Sequence, residues 1–209
     1  MTEKERMLSG KLYMAQDEEL VRDSMRARRL TRQINGLTEE QGEEIQRLFR
    51  ELFGNIGRDF WINPPFRTDY GSHIYIGNDF FANYDCMILD VARVEIGDHV
   101  FFGPRVCVYT AGHPIDAEIR DTQLEFGKEV KIGSHVWVGG NTVINPGVTI
   151  GDRVVIGSGS VVTKDIPSDV VAAGVPCRVI RKITEEDRKY WKEQEALYRQ
   201  SVDIESNMG

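Results

Sequence analysis

His113 lies in the segment Thr110-Ala-Gly-His-Pro, an imidazole at the root of a polar stretch and fixed on one side by Pro114. An imidazole held at such a place can take a proton near neutrality, so this position suits a general base. It suits an ordinary loop histidine equally well, and position alone does not choose. Of the other histidines, His99 and His135 each follow an isoleucine by three residues (Ile96, Ile132), an offset that points outward if those isoleucines point inward. His73 precedes Ile74-Tyr75-Ile76 without a partner signalled nearby. Lys164, Arg178 and Arg181 gather near one end of a chain whose net charge is −7. They read either as an anion grip or as a solvated basic end, and their clustering favours the grip. Cys86, Cys107 and Cys177 are far apart and odd in number, which speaks against a disulfide framework or a zinc knuckle. Cys86 and Cys107 sit among apolar strand residues and read as small core fillers.

Such groups need a frame. Branched apolar residues recur every six positions at Ile132, Val138, Ile144, Ile150, Ile156 and Val162. A companion column two residues earlier runs Val130, Val136, Thr142, Val148, Val154 and Ser160, and Gly133, Gly139, Gly151 and Gly157 follow the first. A period of six is neither helical nor a plain strand alternation. It predicts a solenoid of short straight segments joined by sharp corners, three segments to a triangular coil. About five coils fit, stacked at roughly the 4.8 Å strand spacing. Upstream, Ile76, Ala82 and Ile88 are two residues out of phase with Ile96, Phe102 and Val108, which predicts a small bulge over 90–93. The pattern stops over 110–129, a polar stretch that should leave the solenoid as a loop, and loops of that length are commonly functional.

The chain therefore divides into a helical region (1–57), a repeat region (58–183) with a loop at 110–129, and a tail (184–209). In the first, residues 20–34 read as helix, Thr38 and Gln41 form a capping box, and Ile45, Leu48, Phe49, Leu52 and Phe53 make an apolar stripe at helical spacing. Gly54 and Gly57 end that helix, and Asn63-Pro64-Pro65 marks the passage into the repeat. In the tail, Thr184 can cap a helix that carries Glu185, Glu186 and Asp187 in its first turn. Its apolar face of Tyr190, Trp191, Leu197 and Tyr198 is expected against the solenoid end or a neighbour. Hydrophobic residues make up 41% and charged residues 28%, and no apolar run reaches the roughly 18 residues of a membrane span. The polar N-terminus has no secretory pattern, which points to a reducing cytoplasm, and the acidic balance without a basic run excludes nucleic acid as an obvious partner.

Three segments carry a specific resemblance: YTAGHPID (109–116), NDFFANYDCMILD (78–90) and VVTKDIPSDVVAAGVPCRVIRKI (161–183). With the repeat and the N-terminal helices, residues 5–183 resemble the maltose and galactoside O-acetyltransferases, members of the hexapeptide-repeat acyltransferases. The resemblance implies a mostly β fold, a left-handed parallel β-helix with an N-terminal helical segment. It also implies a cytoplasmic homotrimer and acetyl transfer from acetyl-CoA to a hydroxyl of a sugar such as maltose, glucose or a galactoside, with no metal. That handedness opposes the usual right-handed crossover, and periodicity alone does not supply it.

By the same resemblance His113 is the general base and Asn83 an amide near the reacting centre, able to donate to the acceptor or to a developing oxyanion. Read without it, Asn83 is a corner asparagine tolerant of unusual backbone angles. Asp69, Asp85, Asp90, Glu125 and Asp17 are acceptor-side candidates, and Arg26 is a weaker one. Glu125 could orient His113, bind the acceptor or be a solvated loop charge. Val91 stands where a further acceptor-side aspartate is expected, which leaves the sugar open. On the donor side Gly140, Ser158, Thr163, Lys164, Arg178 and Arg181 match coenzyme contacts. Trp137 walls that groove or lies in a subunit contact.

Other readings compete. The same transfer could serve an amino sugar, an antibiotic hydroxyl or serine. Some solenoids of this type hold zinc with three histidines at a subunit seam and hydrate carbon dioxide, which would need three imidazoles about 2.0–2.1 Å from the metal. A scaffold without activity would leave His113 and the terminal basic set unexplained.

Overall fold

The computed structural model describes residues 1–207, and of 203–207 only the helical backbone. The repeat builds a three-sided solenoid of five complete coils and a partial sixth. Both predicted columns point inward: Ile132, Val138, Ile144, Ile150, Ile156 and Val162 are buried, and so are their companions, Thr142 and Ser160 included. These two hydroxyls both donate to Gly157 O, at 3.4 and 2.5 Å, so neither is stranded in the apolar interior. Parallel strands on each side stack in register, so every coil places one outward residue directly above the last.

The three sides differ in what they turn outward. One carries Asn55, Tyr75, Glu95, Lys131 and Thr149, tied by a Lys131–Glu95 ion pair (3.8 Å) and by Arg93 over the Tyr75 ring (3.7 Å). The second carries Trp61, Phe81, Phe101, Trp137, Val155 and Val171. The third carries Arg67, Met87, Cys107, Val143 and Val161. One side is thus dressed for water and two are not. The corner between the first two sides holds a non-glycine residue at positive φ in each coil, among them Asp79 (φ 55°), His99 (φ 54°), His135 (φ 59°) and Arg153 (φ 54°). His99 and His135 stack there with ring centroids 4.8 Å apart, facing outward as their offset predicts.

The open N-terminal end of the solenoid exposes apolar interior and must be closed. Helix α1 (Glu3–Leu8) starts with a Thr2–Glu5 capping box, and α2 (Glu18–Asn35) and α3 (Gly42–Leu52) follow. The Thr38–Gln41 box opens a short 3-10 turn ahead of α3. Leu30, Ile34, Ile45, Leu48, Phe49 and Leu52 enter one continuous core with Phe60 and Phe66 of the first coil. Phe49 meets Phe66 edge to face, with centroids at 5.5 Å.

One expectation needs correction and a second is narrowed. The stretch 110–129 is not a bare loop. It is an arm made of a strand (Ala111–Gly112), helix α4 (Ala117–Asp121) and a returning antiparallel strand (Leu124–Gly127). A further strand, Tyr13–Met14, pairs with the returning one, so the N-terminal segment and the arm share one antiparallel sheet. The second concerns the tail. Helix α5 (Glu185–Asn207) does not pack on its own solenoid: from Arg188 to Val202 every side chain is exposed. It is anchored at its first turn, where Asp187 accepts from Thr184 N (2.8 Å) and from both terminal nitrogens of Arg181 (2.7 and 2.9 Å).

Candidate functional site

A cavity of about 240 Å³ opens where α2, the first two coils and the arm meet. Tyr13, Arg28, Asp69, Tyr70, Val91 and Glu125 line it, with Ala15, Val21, Ser24 and Met25 on the α2 side. Each wall follows from the fold. Asp69 and Tyr70 leave the first coil just after the strand Arg67–Thr68. Val91 belongs to the bulge that the phase shift predicts. Glu125 and Tyr13 face each other across the antiparallel pair, and the Tyr13 hydroxyl donates to Glu125 Oε2 at 2.9 Å. Burial and the Glu125 charge push the Tyr13 phenol well above its ordinary pKa, so it stays a donor. Tyr70 is pushed up likewise by burial and then by Asp69.

Asp69 is the exposed nerve of this cavity. No group of the chain donates a hydrogen bond to it among the described residues. Burial first, then the neighbouring charges of Asp90 and Glu125, raise its carboxyl to about 6, with Arg28 pulling the other way. A half-buried carboxylate without a partner destabilises the fold and is poised for a donor from outside.

Asp90, a candidate for the same role, is placed differently. It is 0% exposed and its carboxylate accepts from Thr68 Oγ1 (2.7 Å), Tyr70 N (2.9 Å) and His73 N (3.2 Å). His73 Nδ1 closes the circle on Asp90 O at 2.7 Å, giving this histidine the partner its sequence context does not reveal. Asp90 therefore pins the bulge and the Tyr70 backbone and cannot itself reach an acceptor. Asp17 caps α2, accepting from Glu19 N at 3.0 Å, and does not line the cavity. Asp85 is an exposed corner residue (φ 62°) 4.0 Å from Arg105, also outside it. Arg26 is spent on Glu51 O at the base of α3.

His113 follows the arm's outgoing strand. The pairing there runs Ala111 with Gly127 and Gly112 with Phe126, and one step further the count sets His113 across from Glu125. A methyl on Gly112 would sit 2.7 Å from the Phe126 ring, so a larger residue here would push that ring aside. Pro114 and Ile115 are held by Arg120 Nη1 (3.1 and 3.0 Å), and Asp116 caps α4. The imidazole is exposed and bonded to nothing among the described residues.

Asn83 ends a strand on the aromatic side, beside a shallow groove of about 510 Å³ lined by Phe81, Phe101, Phe102, Gly103 and Trp137. Its Oδ1 accepts from Tyr84 N at 2.8 Å, which turns the amide nitrogen outward as a donor. One coil beyond Gly103 lies Gly140: a Cβ on Gly103 would fall 2.5 Å from Gly140 N, so the corner backbones are in direct contact. Ser158 follows one coil later, packed against Gly139. At the last coil Thr163 and Lys164 are exposed just after the strand Val161–Val162, and Cys177 N donates to Val161 O, which brings Arg178 alongside. Arg181 has its guanidinium on Asp187. Gly140 and Ser158 thus lie on the corner where the second and third sides meet, Thr163 and Lys164 on the corner that follows the third side, and Arg178 and Arg181 on the antiparallel strand added beyond the last strand of the second side, while the acceptor cavity lies at the other end under the arm. Tyr13, Tyr70 and Arg28 have no signal in the sequence, because they come to the cavity from three separate elements. Within the single chain, no group of three or more His, Cys, Asp or Glu side chains is set to hold a metal among the described residues.

Residues 6–57 match the maltose acetyltransferase hexapeptide capping motif, and residues 129–164 match the six-repeat bacterial transferase hexapeptide, the repeat of left-handed β-helices. The chain is 44% identical to galactoside O-acetyltransferase of Escherichia coli over 187 residues, 90% of this chain and 92% of that one. A crystal structure of a maltose O-acetyltransferase from Clostridium difficile superposes with a TM-score of 0.87 at 54% identity, covering 88% of this chain and 98% of that one. A hexapeptide-repeat acetyltransferase of Vibrio cholerae, solved in complex with acetyl coenzyme A, superposes with a TM-score of 0.82 at 40% identity, covering 88% of this chain and all (100%) of that one.

Proposed function

The chain belongs to the maltose and galactoside O-acetyltransferase family of hexapeptide-repeat enzymes, acetyl-CoA-dependent sugar O-acetyltransferases, and from that premise we propose that it acetylates one hydroxyl of a neutral sugar such as maltose, glucose or a galactoside, with His113 as general base. The observation that carries this reading is the polar cavity under the arm, of about 240 Å³, which suits one sugar ring. Asp69 would accept from ring hydroxyls, Tyr70 and Arg28 would bound the ring, and Glu125, steadied by Tyr13, would accept from a further hydroxyl. An ionised carboxylate makes strong bonds of this kind.

The step balances simply. The sugar oxygen attacks the thioester carbonyl carbon while His113 takes its proton, a C–O bond forms, and the Asn83 amide donates to the developing oxyanion. The C–S bond then breaks, and the imidazolium returns the proton to the departing thiolate, leaving an acetyl ester and free coenzyme thiol. Gly140 and Ser158 would line the pantetheine arm, and Thr163, Lys164, Arg178 and Arg181 would meet the phosphates.

A trimer completes the site. His113 is unpartnered among the described residues, and two of the three solenoid sides turn apolar columns outward while the third is charged. Packing the aromatic side of one copy on the aliphatic side of the next would be a head-to-tail contact, of the kind that makes a closed ring when its rotation closes. The donor residues would then lie in each seam, within reach of a neighbouring arm.

The test is His113→Ala with acetyl-CoA and a panel of neutral sugars, amino sugars, an antibiotic and serine, monitored by free thiol. Turnover on the preferred sugar should fall by roughly two to four orders of magnitude while coenzyme binding persists. Survival of activity within about tenfold would remove His113 from the mechanism, and a preference for a non-sugar acceptor would replace the substrate.

A further inference from the structure

Ile115 is 98% exposed, an apolar side chain standing almost wholly in water two residues after His113. A single exposed isoleucine is ordinary, but one held in place is not. Ile115 immediately precedes Asp116, the cap of α4, and an apolar residue at that place commonly folds back onto the fourth helical position. Here that position is Arg120, whose Nη1 donates instead to the carbonyls of Pro114 (3.1 Å) and Ile115 (3.0 Å). The backbone is pinned, and the side chain gains no cover from its own helix.

The aromatic side has a hollow of matching character. Phe81, Phe101 and Trp137 stand one above the other on successive coils, and Gly103 brings no side chain beside them. Phe101 and Trp137 are 50% and 56% exposed, and Asn83 lines the same hollow. The arm of the same chain cannot fill it. Asn83 stands at the corner where the third side begins, and the arm leaves where that side ends, after Tyr109. Six residues of strand and corner separate those two edges by roughly 15–20 Å. The arm is also tied down: its returning strand pairs with Tyr13–Met14, and Glu125 opposite His113 lines the acceptor cavity. His113 and Asn83 of one chain therefore stand at opposite edges of the same side, and a second copy is needed to bring the two groups together.

We propose that Ile115 is a positioning residue: its side chain seats in the aromatic groove of a second copy and so sets His113 beside that copy's Asn83. The proposal rests on the trimer reading above, in which the aromatic side is covered. Two residues of chain span at most about 7 Å, so a seated Ile115 keeps His113 at the mouth of the same groove. Burial of one isoleucine favours the seated arm over a free one by roughly tenfold to a hundredfold. Packed on Phe101 and Trp137, it also keeps water from the thioester, so that His113 takes its proton from the sugar and not from water.

The experiment uses the full chain, with trimers verified by sedimentation. Ile115→Ser should lower kcat on the preferred sugar roughly tenfold to a hundredfold and leave the sugar KM nearly unchanged, because the cavity belongs to the chain that carries the arm. Thiol release from acetyl-CoA without sugar should rise relative to transfer. Ile115→Leu should keep most of the activity. Co-expression then tests the seat itself. His113→Ala chains and Asn83→Ala chains should each be nearly inactive alone, and mixed trimers should regain activity, since one copy supplies the imidazole and the other the amide. Ile115→Ser added to the Asn83→Ala chain, which supplies the imidazole, should cut that rescue by the same factor as above. Added to the His113→Ala chain, which supplies the groove, it should leave the rescue intact. Full activity of Ile115→Ser, or rescue that survives it in both chains, overturns the seat and leaves the shared seam standing. Rescue lost only when the change lies in the groove-supplying chain means that Ile115 serves its own chain, which also overturns the seat. Mixed trimers without any rescue, or a monomeric full chain, would sink the trimer reading itself, and the seat with it.

Discussion

Tyr13 and Glu125 are 112 residues apart in sequence and 2.9 Å apart in space, joined by a phenol that donates to a carboxylate across an antiparallel pair. Through this bond the capping region sets the arm, and the arm carries His113. The second apolar cluster, Met7, Tyr13, Leu20, Tyr70 and Val91, packs directly beneath it. The cap therefore has two tasks: it seals the end of the solenoid and forms one wall of the cavity.

Removing the phenol tests that coupling. Tyr13→Phe keeps the ring in its apolar cluster and loses only the hydrogen bond. A bond to a charged group is worth about 1.5–3 kcal/mol, so kcat/KM for the sugar should fall roughly tenfold or somewhat more. The KM for acetyl-CoA should not move. An equal loss on both substrates would mean that the bond holds the whole arm, not the acceptor wall.

Asp69 makes the acceptor side sensitive to pH. Its carboxyl is raised to about 6, so it protonates as pH falls through 6 and ceases to accept from sugar hydroxyls. The sugar KM should rise below pH 6 while the coenzyme KM stays level. The stability sign is the reverse of that for a salt-bridged aspartate. The folded state holds this proton more tightly than the unfolded state, whose pKa is near 3.8. The contribution of Asp69 to stability is therefore greatest below about pH 4, declines as pH rises through 6, and stays lower above. Asp69→Asn should melt higher than the natural chain at pH 7–8, by on the order of 2 kcal/mol, with the gap closing below about pH 4. A variant less stable at pH 7 would contradict the burial argument.

Asp90 predicts the opposite outcome. Its carboxylate serves three donors in a sealed place, and Asp90→Ala would strand the Tyr70 and His73 amides. The cost is about 3–5 kcal/mol, or a melting point lower by roughly 10 °C for a chain of this size. The milder Asp90→Asn keeps one acceptor and removes a charge that raises Asp69, so the acid limb of the sugar KM should shift to lower pH. An unmoved limb would show that Asp90 and Asp69 do not interact.

The contrast between these two aspartates also marks how far the sequence can be read. The six-residue columns announce the solenoid because every coil repeats the same burial, and the slip between Ile88 and Ile96 announces the bulge. What fills the bulge does not show: Asp90 looks like any polar corner residue until the donors of the previous coil are seen around it. The arm is opaque for a similar reason. Its strands are short, and the one that orders Glu125 lies at Tyr13–Met14, far outside any local pattern. Repeated local structure is legible, whereas single contacts between distant segments are not, and the cavity consists of the latter.

The donor residues give the last prediction. Among the described residues Lys164 is exposed and holds no partner, Arg178 reaches only the neighbouring Cys177 carbonyl, and Arg181 is clasped by Asp187. Lys164 and Arg178 are thus available to coenzyme phosphates at once, while Arg181 must first exchange a carboxylate for a phosphate. Lys164→Ala and Arg178→Ala should each raise the KM for acetyl-CoA by roughly tenfold, the worth of one charge-assisted contact, without altering the sugar KM. Arg181→Ala should cost less, because the bond gained is offset by the bond given up. Asp187→Asn should lower the coenzyme KM by freeing Arg181. Added salt should weaken coenzyme binding by the natural chain more than by Arg178→Ala, because exposed charges are screened. If Arg181→Ala proves the most damaging of the three, its pairing with Asp187 is instead what shapes the site.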